Sequence, residues 1–317
     1  MYNGHVVVDG HADILYRMEG EGLGFYDPDS KLQQSYLHMA ASGIDVQVFV
    51  TFVEPSLSPS EQLYKVLASL DRFYREVEKP GAVVPVFSVS DLKAVLQSGH
   101  RGAILSLEGA DAFAGRIEVL HTLFRLGVRL IGLTWNGANS VADGVGEARG
   151  AGLTHFGREV VLTMRTLGMV VDVSHLAERG VWDVLEIYGG PVVASHSNAA
   201  AVHAHRRNLS DDQIRGIAAT GGLVGATFVP SFVGDRAVLT SEDLLRHIDH
   251  LLTIAGPDGV ALGSDFDGID TTLTDLRNGS DYPQLLEKLE RRYGSDVLAK
   301  MAGGNWLRVF SQILPEQ

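Results

Sequence analysis

No cysteine occurs in the 317-residue sequence. That absence removes disulfides, thiolate nucleophiles, cysteine-ligated zinc and iron–sulfur clusters together, so any metal must be held by imidazoles and carboxylates. Basic residues are also scarce. Lys and Arg total 26 against 39 Asp and Glu, a formal net charge of −13. A surface that acidic repels phosphate backbones and anionic lipid, so neither nucleic acid nor a membrane is an expected partner. No apolar run reaches the ~18 residues that a spanning helix needs. The opening string MYNGHVVVDGHADIL lacks a basic segment followed by a long apolar one. No signal peptide is expected on that ground, and the expected location is cytoplasmic. Low-complexity tracts and linkers are missing as well.

What is present is a recurrence of short apolar runs. They read Val6-Val7-Val8, DVQVFVTF (45–52), GAILSLEG (102–109), RLIGLTWN (129–136), MVVDVSH (169–175), PVVASHS (191–197), GLVGATFV (222–229) and GVALGSDFDG (259–268). Runs apolar on both pleat faces suit a buried parallel sheet. Helical patterns separate them, for example at 60–79, 156–168 and 241–256, with Ser58 or Ser60, Ser210 and Ser241 as N-caps and Gly168 and Gly256 as stops. Eight such units predict a single α/β domain over residues 1–317, a closed (β/α)8 TIM barrel, with a doubly wound open sheet as the alternative. The stretch from about 282 to 314 reads as a helical extension that closes the barrel bottom or covers a face. A glycine-rich loop at Gly20, Gly22 and Gly24 has no place in this scheme.

In seven of the eight runs, polar or aromatic residues of chemical interest follow the apolar stretch. Barrel enzymes place their chemistry at that C-terminal rim, where side chains from different strands converge. His11 and Asp13 stand two apart at the end of the first run, which puts both on one face. Asp9 has the same parity and is expected to orient His11 from behind. Glu108 ends the third run, and His175 and His196 each close a run in Ser-His. Singly, each has a plain reading as a rim ion pair or capped histidine. Together they bring three imidazoles and two carboxylates to four strand ends, enough for two zinc ions and open positions for water. Asp265, in LGSDFDG, is the candidate general base and acid, whereas Asp267-Gly268 suits a turn. Other histidines read as bystanders. His203 and His205 lie in a polar loop, and His247 and His250 lie on an amphipathic helix whose surface they are expected to share.

The strings DGHAD (9–13), SLEGAD (106–111), GLTWNGANSVADG (132–144), GMVVDVSH (168–175), SHSNAAAVHAHRRNLSDDQIR (195–215), GGLVGATFVPSF (221–232) and LGSDFDG (262–268) run in one order along nearly the whole chain. In that order the chain resembles the membrane (renal) dipeptidase family, the M19 metallopeptidases of the amidohydrolase superfamily. The resemblance implies a (β/α)8 barrel holding two zinc ions. One ion takes the positions of His11 and Asp13, the other those of His175 and His196, and Glu108 bridges them. It further implies that Arg207 contacts the substrate carboxylate and that Asp265 handles the proton. Asn208 and Trp135 are further substrate-binding candidates; their plain readings are a turn before Ser210 and packed core.

One position departs from the family pattern. Where the mammalian members have Leu-Thr-His at the fourth strand, this sequence has Leu133-Thr134-Trp135. An indole N–H donates a hydrogen bond but carries no positive charge. The oxyanion role then falls to a zinc ion, Asn136 or Asn139. The resemblance implies hydrolysis of dipeptides, including those with a C-terminal D-residue. The alternative is a binuclear amidohydrolase acting on a non-peptide amide or lactam. A non-catalytic barrel is disfavoured because all five ligand positions are intact, and a sugar-phosphate enzyme because no glycine-rich phosphate cradle follows the late runs. The family's frequent dimers make a homodimer one expectation, with no interface legible in the sequence.

Overall fold

Val- and Ile-rich runs become strands of one parallel sheet in the computed structural model, which describes residues 2–317. The strands are β1 (Val8–Ala12), β2 (Val46–Phe52), β3 (Val83–Pro85), β4 (Arg101–Glu108), β5 (Val128–Gly132), β6 (Val170–Asp172), β7 (Val193–Ala194), β8 (Leu223–Ala226) and β9 (Val260–Leu262). Eight of them follow around the sheet in the order β1-β2-β4-β5-β6-β7-β8-β9. The ring is drawn together between its ends: Asp13 N donates to Phe266 O at 2.8 Å and Asp265 N to His11 O at 2.9 Å. With helices between successive strands, this is a nearly closed (β/α)8 barrel.

The ninth strand is absent from the sequence reading. β3 pairs with Arg101–Ala103 on the edge of β4 that β5 occupies from Leu105 onward. Its Pro85 cannot donate to a ladder, which suits so short an edge segment. Helix boundaries shift for identifiable reasons. The pattern at 60–79 is an α-helix only over Pro59–Arg72, capped by Ser58, and continues as a π-turn over Phe73–Val77. Thr240, not Ser241, caps the helix Ser241–Ala255, because Asp243 reaches back to it while Ser241 donates its hydroxyl to Asp275 at 2.7 Å. In the loop with no assigned place, Gly22 ends the helix Ile14–Glu21 at φ 64°, a conformation glycine adopts without strain.

The C-terminal stretch closes the end of the barrel opposite the polar rim. Val8, Val46, Val170, Val193 and Leu223, each the first residue of its strand, cluster with Trp306, Val309 and Phe310 of the helix Asn305–Ile313. Trp306 is fully buried, stacks on Phe310 at 5.3 Å and donates its indole N–H to Leu262 O at 3.0 Å. It lies against Gly10, where any Cβ would strike the indole ring. Trp306→Ala is therefore expected to cost about 3–5 kcal/mol of unfolding free energy, measured by denaturant titration. Among the described residues, no helix is long and apolar enough to cross a membrane.

Candidate metal centre

At the opposite rim, five strand ends bring their polar side chains to one place. The end of β1 does so through a break in alternation: its register against β2 shifts between Asp9 and Ala12. Asp9 is consequently turned toward β9, where it accepts from Ser264 N at 2.8 Å and Ser264 Oγ at 2.7 Å. Asp9 thus holds His11 by its backbone, accepting from His11 N at 3.4 Å, while the ring is oriented by Ser195. His11 and Asp13 do come together, with Nε2 to Oδ2 at 3.5 Å.

Glu108, at the end of β4, lies among the three histidines. Its Oε1 is 2.9 Å from His175 Nε2, 3.5 Å from His196 Nε2 and 3.8 Å from His11 Nε2. Asp265 stands 3.9 Å from His11 Nε2 through Oδ1. His175 and Asp265 both have left-handed backbones, φ 66° and 65°. Such conformations are strained for residues with a Cβ and concentrate where a site must hold a side chain in place. Gly268 permits the tight turn after Asp265. A Cβ there would collide with Asp13 Oδ2 and lie 2.7 Å from Asp265 Oδ1.

The hydrogen bonds determine which ring nitrogens are available. Ser195 Oγ lies 2.5 Å from Asp172 Oδ2, 2.8 Å from His196 Nδ1 and 3.1 Å from His11 Nδ1. A hydroxyl has one proton, which goes to the carboxylate, so both imidazoles must donate from Nδ1. His175 Nδ1 faces Asn136 Oδ1, an acceptor only, at 2.9 Å and must donate too. In the neutral rings all three Nε2 atoms are thereby left with lone pairs pointing inward. Asp172 and Ser195 repeat on β6 and β7 the arrangement of Asp9 and Ser264 on β1 and β9. In each, the carboxylate accepts the serine hydroxyl, the serine N–H and the N–H two residues along its own chain.

This donor set fits a metal. His175 Nε2 and His196 Nε2 are 2.9 Å apart, and burial pushes both imidazoles well below their usual pKa, toward the neutral form. Two lone pairs and a carboxylate oxygen at such distances repel unless a cation joins them. His11 Nε2 and Asp13 Oδ1 are buried without a hydrogen-bond partner. Burial pushes the His11 pKa down, but Asp13, Glu108 and Asp265 outweigh it and hold it at about 10, a measure of how strongly this wall calls for positive charge. Two overlapping ligand groups emerge, His11 with Glu108 and His196, and His11 with Asp13 and Asp265. Nitrogen and carboxylate donors of this kind suit zinc and its first-row neighbours. Burial raises the Asp265 pKa, His11 and Arg207 oppose this, Asp13 adds to it, and the value stands at about 7, suited to proton transfer near neutrality.

The centre opens into a cavity of about 530 Å³, lined by Asp13, Glu108, His175, Asp265 and Trp135 among others. Trp135 thus forms part of the wall rather than the core, with its ring 6.1 Å from His175. Asn136 lines the cavity as well, whereas Asn139 is consumed by Asp111, the Leu133 carbonyl and the amides of Val141 and Ala142. Arg207 borders a second cavity of about 230 Å³ that shares His175 with the first, and its guanidinium lies 5.4 Å from the ring of Phe232, which lines the central one. It is buried, donates to His196 O at 3.1 Å and keeps Nε without a partner. Asn208 is not brought into the central cavity; its amide braces the loop by donating to His203 O and Phe232 O.

The remaining histidines stay apart from the centre. His205 stacks on Phe232 at 4.6 Å and His203 faces Asp235 at 3.7 Å. His247 corrects the surface expectation. It is fully buried, accepts from Ala199 N through Nδ1 and donates through Nε2 to Val233 O. Only His250 of that pair is partly exposed, bonded to Asp211. The sequence reading missed Asp172 and Ser195, although DVSH and SHS contain them; their polar side chains inside otherwise apolar strands were the available signal.

The family model for membrane dipeptidase (peptidase family M19) matches residues 1–315. A Klebsiella pneumoniae protein, the uncharacterized protein in the pqqA 5' region, is 35% identical over 266 residues, covering 80% of this chain and 97% of that protein. Among solved structures, the dipeptidase AC, a metallo peptidase of family M19, matches with a TM-score of 0.89 and 27% identity, over 98% of this chain and 99% of that one. A metallo peptidase from Rhodobacter sphaeroides, liganded with a phosphinate mimic of the dipeptide L-Ala-D-Ala, matches with a TM-score of 0.88 and 26% identity over the same shares.

Proposed function

This chain belongs to the membrane dipeptidase family, peptidase family M19, and from that membership we propose that it is a binuclear zinc dipeptidase that accepts a D-residue at the C-terminal position. The observation that carries the reading is the convergence of three inward-facing Nε2 atoms on one carboxylate oxygen, Glu108 Oε1, at the floor of a cavity. His11 and Asp13 would hold one ion, His175 and His196 the other, with Glu108 between them. Zinc bound there supplies Lewis acidity and a water acidic enough to be a nucleophile at neutral pH.

The chain's own residues account for the rest of the reaction. Asp265 Oδ1 faces the same point as His11 Nε2, so it is placed to take the proton of the attacking water and return it to the leaving amine. Arg207 offers a planar fork, held rigid by burial and by its bond to His196 O, that suits the free carboxylate of the substrate. A carboxylate anchored one residue from the scissile bond excludes longer peptides. The L-Ala-D-Ala mimic bound to the Rhodobacter sphaeroides relative supports a D-residue at that end.

Zinc-loaded protein assayed against a dipeptide library with L,L and L,D pairs tests the reading, alongside metal analysis of the same sample. About two ions per chain and cleavage of dipeptides are expected. Cleavage of lactams or cyclic amides in place of every dipeptide would overturn it. Arg207→Ala is expected to raise KM for free-carboxylate dipeptides by about 10-fold or more, the worth of a hydrogen-bonded charge. An equal rise for C-terminally amidated analogues would refute that contact.

A further inference from the structure

One wall of the central cavity is a series of aromatic rings in contact. Trp135 lies 6.1 Å from His175, Phe52 lies 5.4 Å from Trp135, and Tyr16 lies 5.2 Å from Phe52, edge to face. At the outer end, the Tyr16 hydroxyl donates to Glu54 Oε1 at 3.0 Å. Glu54 and the rings of Tyr16, Phe52 and Trp135 line the same cavity as Glu108 and Asp265. An apolar, ring-faced path therefore runs from the reacting centre to a carboxylate at the mouth.

Among the described residues, that carboxylate forms no direct ion pair; it only adds at a distance to the field that holds Lys65 charged. Arg17 is committed to Glu21, Asp270 and the carbonyls of Asp267 and Ile269, and Asp270 is committed to Arg17 in turn. Lys65, across an adjoining side pocket, is bonded to Glu19. Among the described residues, no basic side chain comes within 4.0 Å of Glu54. Ring faces attract cations, an arginine plane stacks on them, and a carboxylate at the end completes charge-assisted hydrogen bonds. A side chain bearing a carboxylate would meet like charge at the same point.

The direction of the substrate follows from where the two charged groups stand. Arg207 lies in the loop after β7 and borders the second cavity, while Glu54 follows β2 and lines the first, with His175 common to both. With the substrate carboxylate at Arg207, its N-terminal residue lies toward β1 and β2, against Trp135 and Phe52. Building on the dipeptidase reading, we propose that this site selects dipeptides whose N-terminal residue has a long cationic side chain, arginine or lysine, laid along Trp135, Phe52 and Tyr16 and received by Glu54.

The test compares kcat/KM for Arg-Ala, Lys-Ala, citrulline-Ala, Ala-Ala and Glu-Ala in the metal-loaded wild type, Glu54→Gln and Glu54→Lys. Citrulline has the shape of arginine without its charge. Wild type is expected to favour Arg-Ala over citrulline-Ala by about 10-fold, the scale of a hydrogen bond to a charged group. Glu54→Gln should bring that ratio close to one, and Glu54→Lys should favour Glu-Ala over Arg-Ala. Glu54 is exposed, so both variants are expected to fold, with circular dichroism as the check. A wild-type ratio near one overturns the proposal while leaving the dipeptidase reading intact. So does a fall in Glu54→Gln that is equal for Arg-Ala and citrulline-Ala, which would assign Glu54 to the substrate's α-amino group. Failure of fully loaded wild type to cleave any of the five overturns the dipeptidase reading and this proposal with it.

Discussion

Asp265→Asn is expected to lower kcat by about 10²- to 10⁴-fold, the usual worth of a positioned general acid–base, with metal content unchanged. The amide keeps the shape of the carboxylate, and its Oδ1 still faces His11, but it accepts no proton from water and returns none to the amine. Two features make the position sensitive. Its backbone is left-handed, φ 65°, and the space its carboxylate occupies exists only because residue 268 is glycine, where a Cβ would lie 2.7 Å from Asp265 Oδ1. Metal analysis separates the two readings the geometry presents, because Asp265 also belongs to a ligand group with His11 and Asp13. Loss of one equivalent of metal in the variant would make Asp265 a ligand and sink its assignment as the proton carrier.

Ser195→Ala is expected to weaken metal binding by about 100-fold, at the upper end for groups that orient ligands from behind, and to weaken both ions together. The second expectation is the distinctive one. A single fully buried hydroxyl accepts from His11, assigned to one ion, and from His196, assigned to the other. Removing it leaves two N–H groups and the Asp172 carboxylate short of a partner at once. Asp172→Asn reaches the same end by another route. The new amide would donate to Ser195 Oγ, whose proton must then turn toward an imidazole and reverse its tautomer, placing N–H where a ligand lone pair belongs. Chelator competition measures the two affinities, and nitrogen NMR of the imidazoles reports the tautomers. Unchanged affinity in both variants, or weakening of one ion alone in Ser195→Ala, would refute the coupling.

The sequence made part of this site legible because its signals are local. His11, Asp13, Glu108, His175, His196 and Asp265 each follow an apolar run, and a residue that ends a barrel strand reaches the rim whatever the details of packing. Asp9 holds His11 by its backbone and not by its ring, for an equally local reason. Parity along an ideal strand puts it with His11, and the register shift after it is a property of the pairing with β2 that no single-strand pattern contains. His247 was misread because an amphipathic pattern identifies the buried face of a helix only by apolar residues. A histidine satisfied at both nitrogens by backbone groups from elsewhere in the chain is as buried as a leucine. Ser195 was passed over because its importance lies in three partners, two of them far away in sequence.

The order of the eight barrel strands with helices between them, the restriction of metal ligands to imidazole and carboxylate, and the rim that carries them were determined by the sequence alone. Periodicity, composition and the place of a residue in its strand are properties of neighbours along the chain. Only the tertiary structure decided which nitrogen of each imidazole faces inward, that Arg207 and Glu54 border two cavities that share His175, and that Trp306 seals the far end. These depend on angles and distances between segments as far as 255 residues apart, which folding alone brings into contact.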